Sequence, residues 1–320
     1  MKLENIETIA VIGAGTMGPG MALIFAQNEF EVKVFSRRRE TLDKAKSIMR
    51  TSLNTLAEFD IVQQEAIAAI LERVTFTNLL EAAASDADVI CETVAESREV
   101  KSEIFAQLDK ICSPETIFTS NTSSLNIFNL VPNSRLPNTL IAHWFSPPHI
   151  VPLVEVVKGP QTRDETMNLV TDLLRQMGRI PVRMEKFISG IVINRLYRAL
   201  GRETFFLLDN GYITADQLDL AAKVALAPRM MLLGLVQRYD FTGLDISAKN
   251  LQNPDFLDPP TDNKPKSLFD LVEKGHLGVK TGKGFFDYRG RKLEEILSER
   301  DTDLLRIYEN TEFCLKEKAR

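Results

Sequence analysis

The sequence predicts a doubly wound α/β domain followed by an all-helical domain. Three observations carry this reading. Short β-rich runs alternate with longer helical patterns through the first half, a glycine triplet joins the first strand to the first helix, and strand-like runs stop near residue 185. Such alternation implies a mostly parallel sheet with helices on both faces, because parallel neighbours need a crossover connection.

Residues 8–12 (TIAVI) and 31–35 (EVKVF) are apolar runs of strand length. Residues 17–28 between them carry helical spacing, as do residues 40–72, with a break near Phe59 and Asp60. Further strands are expected at 88–93 (DVICET), 116–119, 139–142 and 152–157 (PLVEVV). Over 98–111, Val100, Ile104 and Leu108 fall on one helical face. A helix at 170–177 and an edge strand at 180–183 complete the first part. The boundary is placed at 184–186. Beyond it, 188–208 reads as a long apolar helix. Thr214, with Gln217 three residues on, reads as the cap of a helix running to Leu226. Residues 253–266, rich in Pro and Asp, read as a loop, and 293–318 as a charged terminal helix packing through Leu293, Ile296, Leu304, Leu305 and Ile307. The domains are therefore 1–185, 186–290 and a C-terminal extension, 291–320.

The 320 residues are 44% hydrophobic and 26% charged, with a net charge of -5, as in an ordinary globular enzyme. The mild acidity argues against a general nucleic-acid surface. No run is long enough to span a membrane, and the charged opening residues do not read as a signal peptide. Cys91, Cys112 and Cys314 are too scattered for a disulfide framework or a metal site and fit a reducing cytoplasm. His143, His149 and His276 are the only histidines, so a histidine-based site has few candidates.

The first strand runs into Gly13-x-Gly15-x-x-Gly18 and a helix follows, the context that a dinucleotide fingerprint requires. Gly13 permits the tight turn. Gly15 lets the backbone approach a pyrophosphate. Gly18 lets the helix pack close to the strand with its N-terminus toward the anion. Thr16 and Met17 complete this cofactor-binding turn, which makes the first domain Rossmann-type. The bland alternative is a glycine turn in an ordinary βα unit.

After the second strand an NAD site usually offers an acid to the ribose hydroxyls. Here Ser36 stands instead, followed by Arg37, Arg38 and Arg39. Cations are unfavourable at a helix N-terminus, and a bound phosphate would offset that cost. The pattern predicts NADP in preference to NAD, with Ser36 and Arg37 or Arg38 on the 2′-phosphate. The competing reading is a solvated basic turn partly neutralised by Glu40 and Asp43.

His143 closes the apolar run 139–142, at the strand end that lines the ligand crevice of a doubly wound sheet. Glu155 lies in the next strong strand, and adjacent strands bring its carboxylate within reach of the imidazole. Such a pair fixes the tautomer and suits a general base that removes a hydroxyl proton. The alternative for His143 alone is a strand-end histidine satisfied by backbone.

Five motifs occur in order: 13–18, 120–125 (SNTSSL), 143–147 (HWFSP) through Glu155, 190–195 (GIVINR) and 280–286 (KTGKGFF). Together they resemble the 3-hydroxyacyl-CoA dehydrogenase family over about residues 5–288. The resemblance implies a Rossmann domain and a helical domain that commonly forms a homodimer interface. It implies reversible oxidation of a 3-hydroxy to a 3-keto group by hydride transfer to nicotinamide. His143 would be the acid/base and Glu155 its orienting partner. Ser123 and Asn194 would hydrogen-bond the substrate oxygen or the histidine. Glu96, Lys101, Ser146 and Lys280 would lie along the cofactor.

The chain departs from the family at four points. Ser36 replaces the ribose acid. Ser146 stands where the family has Asn, which removes one amide contact. Pro147-Pro148-His149 resembles members acting on free hydroxy acids, such as gulonate, carnitine or pyridine-carboxylate dehydrogenases. Ser52 is present, but residues 54–60 hold no Lys or Arg for the phosphates of a CoA. A 3-hydroxyacyl-CoA leads on family frequency and a free 3-hydroxy acid follows. Arg195, Arg198 and Arg202 share one helical face and read as a substrate-anion stripe or a solvated or subunit-facing surface. A non-catalytic NAD(P)-binding structural or sensor protein is the alternative of another class, against which the intact His143, Glu155, Ser123 and Asn194 set argues.

Overall fold

The computed structural model describes residues 2–256 and 258–315. They divide into two compact units, one up to Asn194 and one from Arg195 on.

The first unit is built on β1 (Thr8–Ile12), α1 (Gly18–Gln27), β2 (Glu31–Phe35), α2 (Arg39–Glu58), α3 (Ala66–Glu72), β3 (Val74–Thr77) and α4 (Leu80–Ala84). It continues through β4 (Val89–Glu92), α5 (Arg98–Ile111), β5 (Ile117–Ser120), β6 (Thr139–Trp144), β7 (Leu153–Lys158), α6 (Asp164–Gln176) and β8 (Ile180–Met184). The strands form one eight-stranded sheet in the order β3-β2-β1-β4-β5-β6-β7-β8. Every neighbouring pair is parallel except β6 and β7, which run antiparallel. The order reverses at β1, so a crevice opens above the carboxyl ends of β1 and β4. The expected doubly wound α/β sheet is thus present.

Sequence causes are visible in the core. β4 (VICE), β5 (IFTS) and β6 (TLIAHW) are buried along their whole length, as strands covered on both faces must be. On α2, Leu42, Ala45, Met49, Leu53 and Leu56 are buried at helical spacing. Phe105 of α5 stacks on Phe118 of β5, with ring centroids 6.3 Å apart. Phe25 of α1 meets Trp144 of β6 edge-on at 5.9 Å, tying the first helix to the end of the histidine strand.

Several expected elements shift. Residues 74–77, not anticipated as a strand, supply the edge strand β3. The helix expected at 170–177 starts at Asp164, where Asp164 and Glu165 favour a helix N-terminus. The helix expected from 188 starts at 193, because Gly190 and Ile191 turn the chain with φ of 81° and 50°.

In the second unit, α7 (Ile193–Asp209) crosses the division, and α8 (Ala215–Ala221) passes through a π-helical turn, Ala222–Leu226, into α9 (Ala227–Leu233). Thr214 is extended but makes no side-chain capping bond, contrary to the expected capping box. α10 (Gln237–Thr242), α11 (Leu244–Leu251), α12 (Lys266–Glu273) and α13 (Leu293–Leu315) follow. The expected end of the last helix, 316–318, lies outside the described residues. Among the described side chains from 195 on, only Pro265 and Leu305 are buried. No helix among the described residues is long and apolar enough to cross a membrane.

Candidate active site

The glycine turn starts where β1 ends. Gly13 donates its N–H to the Phe35 carbonyl at 2.9 Å and holds a φ of 123°. A Cβ on Gly13 would lie 2.5 Å from the Thr93 carbonyl oxygen, and one on Gly18 would lie 2.0 Å from the Gly13 oxygen. Both glycines are fixed by close backbone approach. Gly15 differs, since a Cβ there would meet nothing within 4 Å. Gly15 and Thr16 are exposed, Met17 is half-buried, and Met17 offers no side-chain cap to the first turn of α1. An open cradle over an uncapped helix N-terminus fits a dinucleotide pyrophosphate.

Ser36 is half-buried, with its N–H on the Thr77 carbonyl at 3.3 Å. Arg37, Arg38 and Arg39 are exposed, and Arg38 and Arg39 open α2. Among the described residues no carboxylate forms an ion pair with them; Asp43 faces Lys46 at 3.9 Å.

His143 and Glu155 come together as buried neighbours, 6% and 1% exposed. The imidazole Nδ1 and Glu155 Oε2 are 2.8 Å apart. Glu155 Oε1 accepts the N–H groups of Val192 and Ile193 at 3.0 and 2.9 Å, where α7 begins. The carboxylate therefore serves both the histidine and a helix N-terminus. The Phe145 ring lies 4.6 Å from the imidazole. After it, exposed Ser146 leads into Pro147 and Pro148. A Cβ on Gly20 would lie 2.5 Å from Pro148 Cγ, so this loop rests on α1.

Ser123 follows β5 in a loop held by Glu96. The Thr122 hydroxyl and the Ser123 and Ser124 N–H groups all donate to Glu96 Oε1, at 2.7, 3.1 and 3.0 Å. Lys101, buried on α5, donates to both oxygens of Glu92 at 2.7 and 2.9 Å and lies 3.4 Å from Glu96. The Ser120 hydroxyl donates to Glu92 at 2.5 Å. Asn121 accepts the Trp144 N–H at 2.8 Å and donates to Thr93 at 3.3 Å, bracing the ends of three strands. Sequence reasoning includes Glu92, Ser120 and Asn121 in its strand and motif but gives them no individual role, although an acid closing an otherwise apolar strand is a legible signal.

Asn194 is the second residue of α7 and exposed. Lys280 lies in the second unit, in the short turn Val279–Thr281. Arg198 and Arg202, but not Arg195, line a cavity of about 760 Å³ within that unit, and Arg198 donates to Asn263 at 2.9 Å. Among the described residues no group of three His, Cys, Asp or Glu side chains could hold a metal ion.

Two family models match the chain. The NAD-binding domain of 3-hydroxyacyl-CoA dehydrogenase matches residues 8–187, and the C-terminal domain of the same enzyme matches residues 190–288. The chain is 30% identical to a 5-formyl-3-hydroxy-2-methylpyridine 4-carboxylate 5-dehydrogenase of Mesorhizobium japonicum, over 94% of this chain and 97% of the relative. It is 34% identical to a probable 3-hydroxybutyryl-CoA dehydrogenase of Deinococcus radiodurans, over 87% and 99%. A solved structure of a dehydrogenase for the same pyridine carboxylate, described as an NAD+-dependent dismutase, superposes with a TM-score of 0.86 at 29% identity, covering 96% of this chain and 99% of that one.

Proposed function

The chain belongs to the 3-hydroxyacyl-CoA dehydrogenase family and is an oxidoreductase, and from that premise we propose that it interconverts the hydroxy and oxo forms of a free carboxylic acid. The observation that carries the reaction is the buried His143–Glu155 pair, one loop away from an open glycine cradle. Glu155 accepts a hydrogen bond from Nδ1–H and so leaves Nε2 to take the hydroxyl proton. In the reverse direction His143 returns it to the carbonyl oxygen. Ser123 and Asn194 donate hydrogen bonds to that oxygen as charge develops on it. Bound nicotinamide dinucleotide supplies the hydride acceptor.

A free acid is favoured because residues 54–60 carry Glu58 and Asp60 and no cation, which would repel the phosphates of a CoA. The pyridine-carboxylate relative aligned over nearly the whole chain points the same way. A 3-hydroxyacyl-CoA is the second reading, favoured by the relative named a probable 3-hydroxybutyryl-CoA dehydrogenase. Turnover of acetoacetyl-CoA, set against a panel of free oxo and hydroxy acids, separates the two. Efficient reduction of the thioester alone would replace the first reading by the second.

For the cofactor, Ser36 supports a preference for NADP over NAD, together with Arg37 and Arg38, which no carboxylate pairs among the described residues. For assembly, a homodimer through the helical unit is supported by Val224, Val236, Phe241 and Leu251, which are 70%, 82%, 72% and 86% exposed in one copy.

A further inference from the structure

Two carboxylates at the crevice hold backbone in the same way. Glu155 Oε1 takes the N–H groups of Val192 and Ile193, just before Asn194. Glu96 Oε1 takes those of Ser123 and Ser124. The other oxygen of Glu155 serves a histidine. The other oxygen of Glu96 faces Lys101, at 3.4 Å.

Lys101 is the second unusual feature. Its side chain is 1% exposed, and so much burial of a cation is costly without close partners. Glu92 supplies one partner and is itself fixed by the Ser120 hydroxyl and the Val94 N–H, the latter at 2.8 Å. Lys101 is therefore held in place, and it fixes the partly exposed Glu96 in turn. Burial alone would raise the Glu96 carboxyl. The Thr122 hydroxyl, Lys101, and the Ser124 N–H and hydroxyl outweigh it and hold the carboxyl below its usual range.

One carboxylate oxygen has room for about two good hydrogen bonds. Donors to Glu96 Oε1 include the Thr122 hydroxyl at 2.7 Å, the Ser124 and Ser123 N–H groups at 3.0 and 3.1 Å, the Ser124 hydroxyl at 3.2 Å and the Ser123 hydroxyl at 3.5 Å. The Ser123 hydroxyl is the most weakly held, so it is the donor released first to another acceptor. We infer that Glu96, fixed by Lys101, is a positioning residue that latches residues 122–124 and presents the Ser123 hydroxyl to the substrate oxygen. This rests on the role given to Ser123 above.

The test is Glu96→Ala, alone and with Ser123→Ala, in the full chain. Hydrogen exchange at the Ser123 and Ser124 amides, read without substrate, should quicken about tenfold or more, since each loses its acceptor. At saturating dinucleotide, kcat should fall about tenfold to a hundredfold. Adding Glu96→Ala to Ser123→Ala should cost less than about twofold more, because both act through one hydroxyl. Unchanged exchange at Ser123 and Ser124 overturns the latch, whatever happens to activity. So does a full additional loss of kcat in the double variant. The exchange result stands even if every acid offered as substrate is refused, which keeps the latch separate from the proposed reaction.

Discussion

His143 and Glu155 stand directly opposite one another in the antiparallel β6–β7 ladder, so their 2.8 Å contact is a cross-strand pair. Backbone register sets the distance, and neither side chain depends on a loop to find the other.

That register separates chemistry from stability at Glu155. In Glu155→Gln the amide oxygen can still accept the Val192 and Ile193 N–H groups, but its NH2 then faces His143 Nδ1 and selects the wrong tautomer. We expect kcat to fall by about 10²- to 10⁴-fold with little change in Tm. Glu155→Ala should lose activity and also about 2–4 kcal/mol of stability, because two N–H groups and a histidine lose their partner. Thermal unfolding beside steady-state kinetics checks both, and an equal loss of stability in the two variants would contradict the division of roles.

Gly15 and Gly18 should fail differently when changed to Ala. At Gly18 the new methyl would overlap the Gly13 carbonyl oxygen, so folding stability should drop by about 1–3 kcal/mol. At Gly15 the methyl meets open space, so stability should stay within about 0.5 kcal/mol. Dinucleotide affinity should nonetheless fall about tenfold or more, since the methyl occupies the cradle. Urea titration and cofactor fluorescence distinguish the two outcomes.

Ser36→Asp should move cofactor choice toward NADH. An acid there can accept from ribose hydroxyls and repels a 2′-phosphate. The ratio of kcat/KM for NADPH to that for NADH should fall about tenfold or more. A ratio that does not move, or that favours NADH before the change, removes the NADP assignment.

The thiols offer a check on the core. Burial pushes the Cys91 thiol up to about 12, only partly countered by the Thr119 hydroxyl. Burial likewise pushes Cys112 up to about 11, against the opposing pull of Arg135. Both stay protonated at neutral pH, and reagents attack the thiolate. A thiol reagent near neutral pH should modify partly exposed Cys314 well before either buried thiol. Rapid modification of Cys91 would contradict the packing of β4.

Much of this site is legible in sequence where a local pattern carries a physical demand. The glycine turn is readable because a strand, three glycines and a helix must follow in that order. His143 is readable because its apolar run places it at a strand end. β3 is not, because four residues (VTFT) at a sheet edge give too short an alternation to stand apart from the preceding helix. The start of α7 is obscured because the apolar spacing of 188–192 continues smoothly into the helix. The turn at Gly190 and Ile191 delays it, and Glu155 takes the Val192 and Ile193 N–H groups that follow. The burial of Lys101 is hidden for another reason: a charged side chain in a helical pattern is normally solvated, and no spacing rule marks one that is buried.

The reversal of direction between β6 and β7 also bears on how the molecule assembles. Parallel neighbours elsewhere in the sheet meet only after a crossover has closed. His143 and Glu155 are 12 residues apart and belong to one hairpin. Contacts of such short range cost little loop entropy and form early on a folding chain. We therefore expect the His143–Glu155 pair to form before Gly13 meets the end of β4, an order that hydrogen exchange during refolding would show.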